Sequence, residues 1–159
     1  MNRVVVSAMD QDLPKWAGQL KLYALKVLSY LGKDNWDLSV ALCGDQTMAA
    51  LNSQYRGKAE PTDFLSFAQG EGEQFPDGQG EDKGQSLPGD IVISLDTLRE
   101  NARHFEVSED EELRRLLIHG ILHLDGMDHE DNNFIEPMLQ LQERILTSLA
   151  GEYILESNS

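Results

Sequence analysis

His119-Gly120-Ile121-Leu122-His123-Leu124-Asp125-Gly126-Met127-Asp128-His129 sets three imidazoles at a spacing that suits one divalent metal ion. His119 and His123 are four residues apart, so on a helix they share a face, about 6 Å apart along the axis. Gly126 is the residue type that ends helices in a left-handed turn. A reversal there would bring His129 to the same point from another direction. Three neutral nitrogen ligands with a fourth position left for water make a catalytic zinc site rather than a closed structural one.

The spacing H-x-x-x-H-x-x-G-x-x-H is that of the extended metalloprotease motif with one change. Those proteases carry Glu after the first His, as the general base, and here the position is Gly120. The ligands remain while the peptidase's base is missing, which favours a metal hydrolase over peptide hydrolysis. A helix and turn whose histidines only hydrogen-bond is the plainer alternative, and three at this spacing count against it. His104 falls outside the pattern and reads as an exposed or partly packed helix histidine.

Working outward, Ser108 and Glu111 form a capping box before the long apolar helix that carries His119 and His123. Upstream, Asp90 to Ser94 reads as a strand, with Ile91 and Ile93 facing one way and Val92 the other, and Ser94 caps a helix to about His104. Downstream, Ile135 to about Ala150 is amphipathic, with Met138, Leu141, Ile145 and Leu149 on one face. Nearer the start, Arg3–Ser7 and Asp37–Cys43 read as strands. Asp12 and Pro14 open a helix that ends at Gly32, and Asp45 caps a short helix ending near Tyr55. Phe64–Ala68 is a further strand. A Gly- and acid-rich stretch over about residues 69–87 is expected to be a mobile surface loop, and residues 152–159 a frayed tail. Four strands and about five helices predict an α+β single domain over residues 1–159, a mixed four-stranded sheet with the metal site on a late helix and turn.

A chain of 159 residues with 40% hydrophobic and 26% charged residues is long enough to bury one core. No sustained apolar segment suggests a signal peptide or a bilayer span. Cys43 is the sole cysteine, so no intrachain disulfide is possible, a reducing cytoplasm fits, and a buried inert thiol is expected. The formal net charge of −15 argues against a non-specific polyanion binder. Much of it is local, in Gly70–Gly84 and around Ser108–Glu112. A bound divalent cation with a few arginines would still make one positive pocket.

A second constellation runs from Asn52-Ser53-Gln54-Tyr55-Arg56-Gly57-Lys58 into Pro61-Thr62-Asp63-Phe64-Leu65-Ser66-Phe67. Gly57 and Pro61 mark a turn. Arg56 beside it could hold an anion through two parallel hydrogen bonds, although a solvated arginine after a helix is common. The blocks Tyr-Arg-Gly-Lys…Pro-Thr-Asp-x-Leu-Ser-Phe and His-Gly-x-Leu-His-Leu-x-Gly-x-Asp-His, in this order and with Gly89–Ser94 between them, resemble the bacterial YbeY family over roughly residues 37 to 150. The resemblance implies a single-domain α+β metalloprotein. It also implies a single-strand-specific endoribonuclease of ribosomal RNA maturation and ribosome quality control. Its metal ligands would be His119, His123 and His129, and its arginine near the site Arg56. Ala59, Glu60, Ala68 and Met127 depart from the family's common residues, and none is a ligand.

The expected cofactor is one Zn2+ per chain, which polarises a phosphoryl oxygen and activates water. Arg56 would neutralise charge developing on the phosphate. Asp128, beside His129, is a candidate base, and its simpler role is to orient a ligand imidazole. Expected partners are single-stranded ribosomal RNA and the small ribosomal subunit or a basic ribosomal protein, with no membrane. Two alternatives stand beside this reading: a metallopeptidase-like hydrolase with a substituted base, and a non-catalytic ribosome-assembly factor with a structural metal.

Overall fold

The computed structural model describes residues 2–56, 64–68, 89–125 and 137–155. Along the chain run β1 (Arg3–Ala8), α1 (Ala17–Tyr30), β2 (Asp37–Cys43), α2 (Asp45–Arg56), β3 (Phe64–Ala68), β4 (Gly89–Ser94), α3 (Leu95–Phe105), α4 (Glu109–Leu124) and α5 (Pro137–Ser148). The strands form one mixed sheet in the order β1-β2-β4-β3. β1 is parallel to β2 with Val4 opposite Leu38, and β2 is parallel to β4 with Val40 opposite Ile91. β3 runs antiparallel on the far edge, Phe64 opposite Ile93 and Ala68 opposite Gly89. The expected α+β architecture and mixed four-stranded sheet are what the chain forms.

Strand alternation divides the core between the two faces of this sheet. Val4, Leu38, Val40, Leu42, Ile91 and Ile93 point to the face that packs with apolar residues of α1, α3, α4 and α5. Val92 points the other way, to a smaller cluster with Cys43 and Met48 of α2. Burial, with the nearby Asp10, Asp45 and Asp96 carboxylates, pushes the Cys43 thiol up to about 12. No helix among the described residues is long and apolar enough to cross a membrane.

Helix ends follow the local chemistry of the sequence. Gly32, at φ 72°, closes α1, with its N–H on Ser29 O at 3.0 Å and Lys33 N–H on Leu28 O at 2.9 Å. Glu106 takes the left-handed turn after α3 at φ 59°, although it is not a glycine. At the start of α4, Ser108 Oγ accepts from Glu111 N at 3.0 Å. The Glu111 carboxylate reaches forward to Arg115 Nη2 at 3.1 Å, so the capping box is made through its serine half. The regular part of α5 opens with Pro137, whose missing N–H and fixed φ suit a first helical position. Asp45 is the first residue of α2 rather than its cap. Its N–H is taken by Asp96 Oδ2 at 3.0 Å, and Gly44 N by Asp10 Oδ2 at 3.1 Å. The helix is thus capped from other strands' ends, a tertiary arrangement no local pattern displays.

The chain after α5 is docked further than its composition suggests. Ile154 is 1% exposed, and its N–H and that of Leu155 donate to Asp110 Oδ1 at 2.7 and 2.8 Å. Asp110 Oδ2 meanwhile pairs with Arg114 Nε at 2.7 Å. Of the frayed tail expected over 152–159, Ile154 and Leu155 are thus docked, and residues 156–159 lie outside the described residues. The expected loop at 69–87 lies outside the described residues.

The placement of α4 depends on two glycines. A Cβ on Gly120 would stand 2.8 Å from Ile91 Cδ1, and one on Gly89 would stand 2.6 Å from Leu124 Cδ1. Gly120 and Leu124 are four helical residues apart, about 6.0 Å, and Ile91 and Gly89 are two strand residues apart, about 6.7 Å. These repeats match, so α4 runs against β4 at close range with its C-terminus over the strand's start. Replacing Gly120→Ala should cost about 1–3 kcal/mol, because Ile91 Cγ1 and Cγ2 also lie only 3.2 and 3.3 Å from the new carbon. Thermal denaturation would show it as a fall of about 2–4 °C in Tm per kcal/mol. A second expectation concerns Cys43, which should resist a thiol-disulfide reagent at pH 8 in the folded protein and react fully in denaturant, because its folded-state value of about 12 keeps it a thiol there.

Candidate metal centre

The packing that turns Gly120 and Leu124 toward β4 sets the direction of their neighbours. His119 and His123 each precede one of these residues, so they project about 100° around the helix axis from the sheet-facing side. Both are half-buried on that flank. Their rings lie 4.7 Å apart between centroids at 66°, and His123 Nε2 is 3.2 Å from His119 Nε2. Two nitrogens bound tetrahedrally at 2.0–2.1 Å to one zinc ion would be separated by about 3.3 Å. The pair therefore has the spacing that two imidazole ligands of one ion require, and neutral imidazole is a donor that suits zinc.

His119 is held on its other side. Its Nδ1 lies 2.5 Å from Oε1 of Gln142 on α5, a side chain only 6% exposed. Gln142 Nε2 donates to Glu143 Oε2 at 3.1 Å. Arg115 grips the same carboxylate with two parallel bonds, Nε to Oε2 at 2.9 Å and Nη2 to Oε1 at 3.1 Å. That guanidinium is the first cause that holds Glu143 below the usual carboxylate range. At the C-cap of α4, Lys33 Nζ meets Asp125 Oδ1 at 2.7 Å.

The remaining expected site residues fall differently. Arg56 is the last residue of α2, and its side chain lies outside what the structure describes. Gly126, Asp128 and His129 lie outside the described residues. With two of the three histidines described, no group of three or more His, Cys, Asp or Glu side chains gathers around a metal position among the described residues. His104 is exposed at the end of α3 with its ring against Phe105, as an ordinary helix histidine would be. Gln142 was not among the residues the sequence singled out. Its signal was there, as a polar residue four after Met138 and three before Ile145 on the buried stripe of α5.

Among the described residues, two acidic groups lie away from His119 and His123. The carboxylates of Glu109, Asp110, Glu111 and Glu112 crowd the first turn of α4, where the helix dipole favours them. Along the axis the separation runs from about 10.5 Å between Glu112 and His119 to about 21 Å between Glu109 and His123, beyond one Debye length at physiological salt. Asp10, Asp45 and Asp96 gather at the C-terminal ends of the parallel strands, the end of β4 opposite Gly89 and Leu124. Nearer the histidines, Glu143 and Asp125 are paired with cations.

Comparison with known proteins agrees with the sequence blocks. A family model described as Endoribonuclease YbeY matches residues 5–150. The protein named Endoribonuclease YbeY from Treponema pallidum (strain Nichols) is 46% identical over 148 residues, covering 92% of this chain and 89% of the relative. Its namesake from Treponema denticola is 50% identical over 121 residues, 76% of each chain. That from Aquifex aeolicus is 39% identical over 150 residues, 94% of this chain and 93% of the relative. The solution structure of a Thermotoga maritima protein, 28% identical, superposes with a TM-score of 0.61 over 96% of this chain and 91% of that one.

Proposed function

This chain belongs to the YbeY family and is an endoribonuclease of that family; we propose that it cuts single-stranded ribosomal RNA with a zinc ion held by His119, His123 and His129. The observation that carries the metal assignment is the 3.2 Å between His119 Nε2 and His123 Nε2 on one flank of α4. Bound zinc supplies Lewis acidity toward a phosphoryl oxygen and toward the attacking water. The chain's own residues supply the rest. The α4–β4 packing holds the first two imidazoles at fixed separation, and His129 completes the set from beyond the helix. Arg56 follows the family's arginine and binds the phosphate, where it offsets charge that grows in the transition state. Asp128 orients the His129 ring. The ribosomal partners are the small subunit or a basic ribosomal protein, for which the exposed carboxylates of Glu109, Asp10 and Asp96 offer complementary charge.

Gly120 speaks against a peptidase. The position after the first ligand faces Ile91 of β4, and even a Cβ there would stand 2.8 Å from it. A larger side chain there would have to displace the buried Ile91 side chain, and with glycine at this position the site lacks the base that metalloproteases carry at that point.

The test is cleavage of a single-stranded RNA by zinc-loaded protein beside His123→Ala purified in the same way. The His123→Ala protein should lose both bound zinc and cleavage, while Arg56→Ala should keep its zinc and lose about 10²–10³ in turnover. Equal cleavage in wild type and His123→Ala would exclude the metal mechanism. A metal-site variant that still binds ribosomal particles but cannot support their maturation would separate catalysis from docking. Zinc lost from Arg56→Ala would refute the phosphate role.

A further inference from the structure

The side chain that reaches His119 from α5 has a chemistry that selects one protonation pattern. An imidazole binds a metal through a nitrogen that carries no hydrogen, so the hydrogen of a neutral ring must sit on the other nitrogen. Nδ1 of His119 lies 2.5 Å from Gln142 Oε1, an acceptor, and so must be the donor. That puts the hydrogen on Nδ1 and leaves Nε2 as the nitrogen facing His123 Nε2 at 3.2 Å.

An amide can turn over, and the neighbouring carboxylate decides which way it faces. Glu143 accepts hydrogen bonds only, and it takes one from Gln142 Nε2 at 3.1 Å. Turned over, Gln142 would set its carbonyl oxygen against that carboxylate and its NH2 against His119 Nδ1. The ring would then carry its hydrogen on Nε2 and could not bind a metal through it. Arg115 keeps the carboxylate in place and ionised through its two-bond grip. Because Gln142 is only 6% exposed, water has little access to take over the role.

We propose that Gln142 is a positioning residue for the metal site, holding His119 in the Nδ1–H form so that Nε2 is presented to zinc. This rests on the metal reading above and adds a residue to it. Gln142 does not touch the metal; it acts through His119, with Glu143 and Arg115 fixing its orientation.

The test compares zinc affinity of the full chain, by competition with a chromogenic chelator, in wild type and Gln142→Met. Methionine fills similar volume without the acceptor. Zinc affinity should fall about 10–100-fold in Gln142→Met. In the metal-free proteins, nitrogen NMR of the His119 ring should show one form, hydrogen on Nδ1, in wild type, and a mixture of both in Gln142→Met. A packing role alone would lower the Tm of metal-free Gln142→Met while leaving its zinc affinity and ring signature unchanged, and that result would overturn the proposal. Failure of the wild type itself to bind zinc would overturn the metal reading along with it.

Discussion

The close approach of α4 to β4 is the constraint on which the site depends. Gly120 removes the Cβ that would strike Ile91, and Gly89 removes the one that would strike Leu124. Four residues of helix and two of strand advance by nearly the same distance, so both contacts are met in one orientation. Once the helix is seated in this way, the directions of His119 and His123 are no longer free. They lie on a flank of a helix whose Leu113, Leu117, Ile118, Ile121 and Leu122 have no exposed surface. A metal ligand gains from such a support, because a rigid backbone keeps two nitrogens 3.2 Å apart without an entropy cost at each binding event.

The same packing gives Gly120 a meaning different from the one its motif suggests. As a sequence it is a protease motif without its base. In the fold it is a contact surface that a larger residue would close. A glutamate at that point would press on the buried Ile91 side chain, so sheet packing favours glycine.

Polar contacts around the helix are arranged in chains rather than isolated pairs. Arg115 joins Glu111 on its own helix to Glu143 on α5, and Gln142 joins Glu143 to His119. At the other end, Asp110 ties Arg114 and the backbone of Ile154 and Leu155 to the start of α4. The exposed pairs among them contribute little to stability. Their effect is directional: each fixes an orientation that apolar packing alone would leave open.

Much of this was legible in the sequence. Period-two alternation in Asp37–Cys43 and Gly89–Ser94, and the Gly32 and Ser108 signals, determined strands and helix ends because these depend on neighbours within a few residues. The i, i+4 spacing of His119 and His123 determined that they share a helix face, and the two sequence blocks determined the family. Only the tertiary structure decided what lies far apart in the chain: that Asp10 and Asp96 serve the start of α2, that Ile154 is core rather than tail, that Gly120 faces Ile91, and that Gln142 meets His119 from 23 residues away. A local pattern records the period of an element, whereas the partner of a buried polar group is set by how whole elements pack, and that information is absent from any single window of sequence.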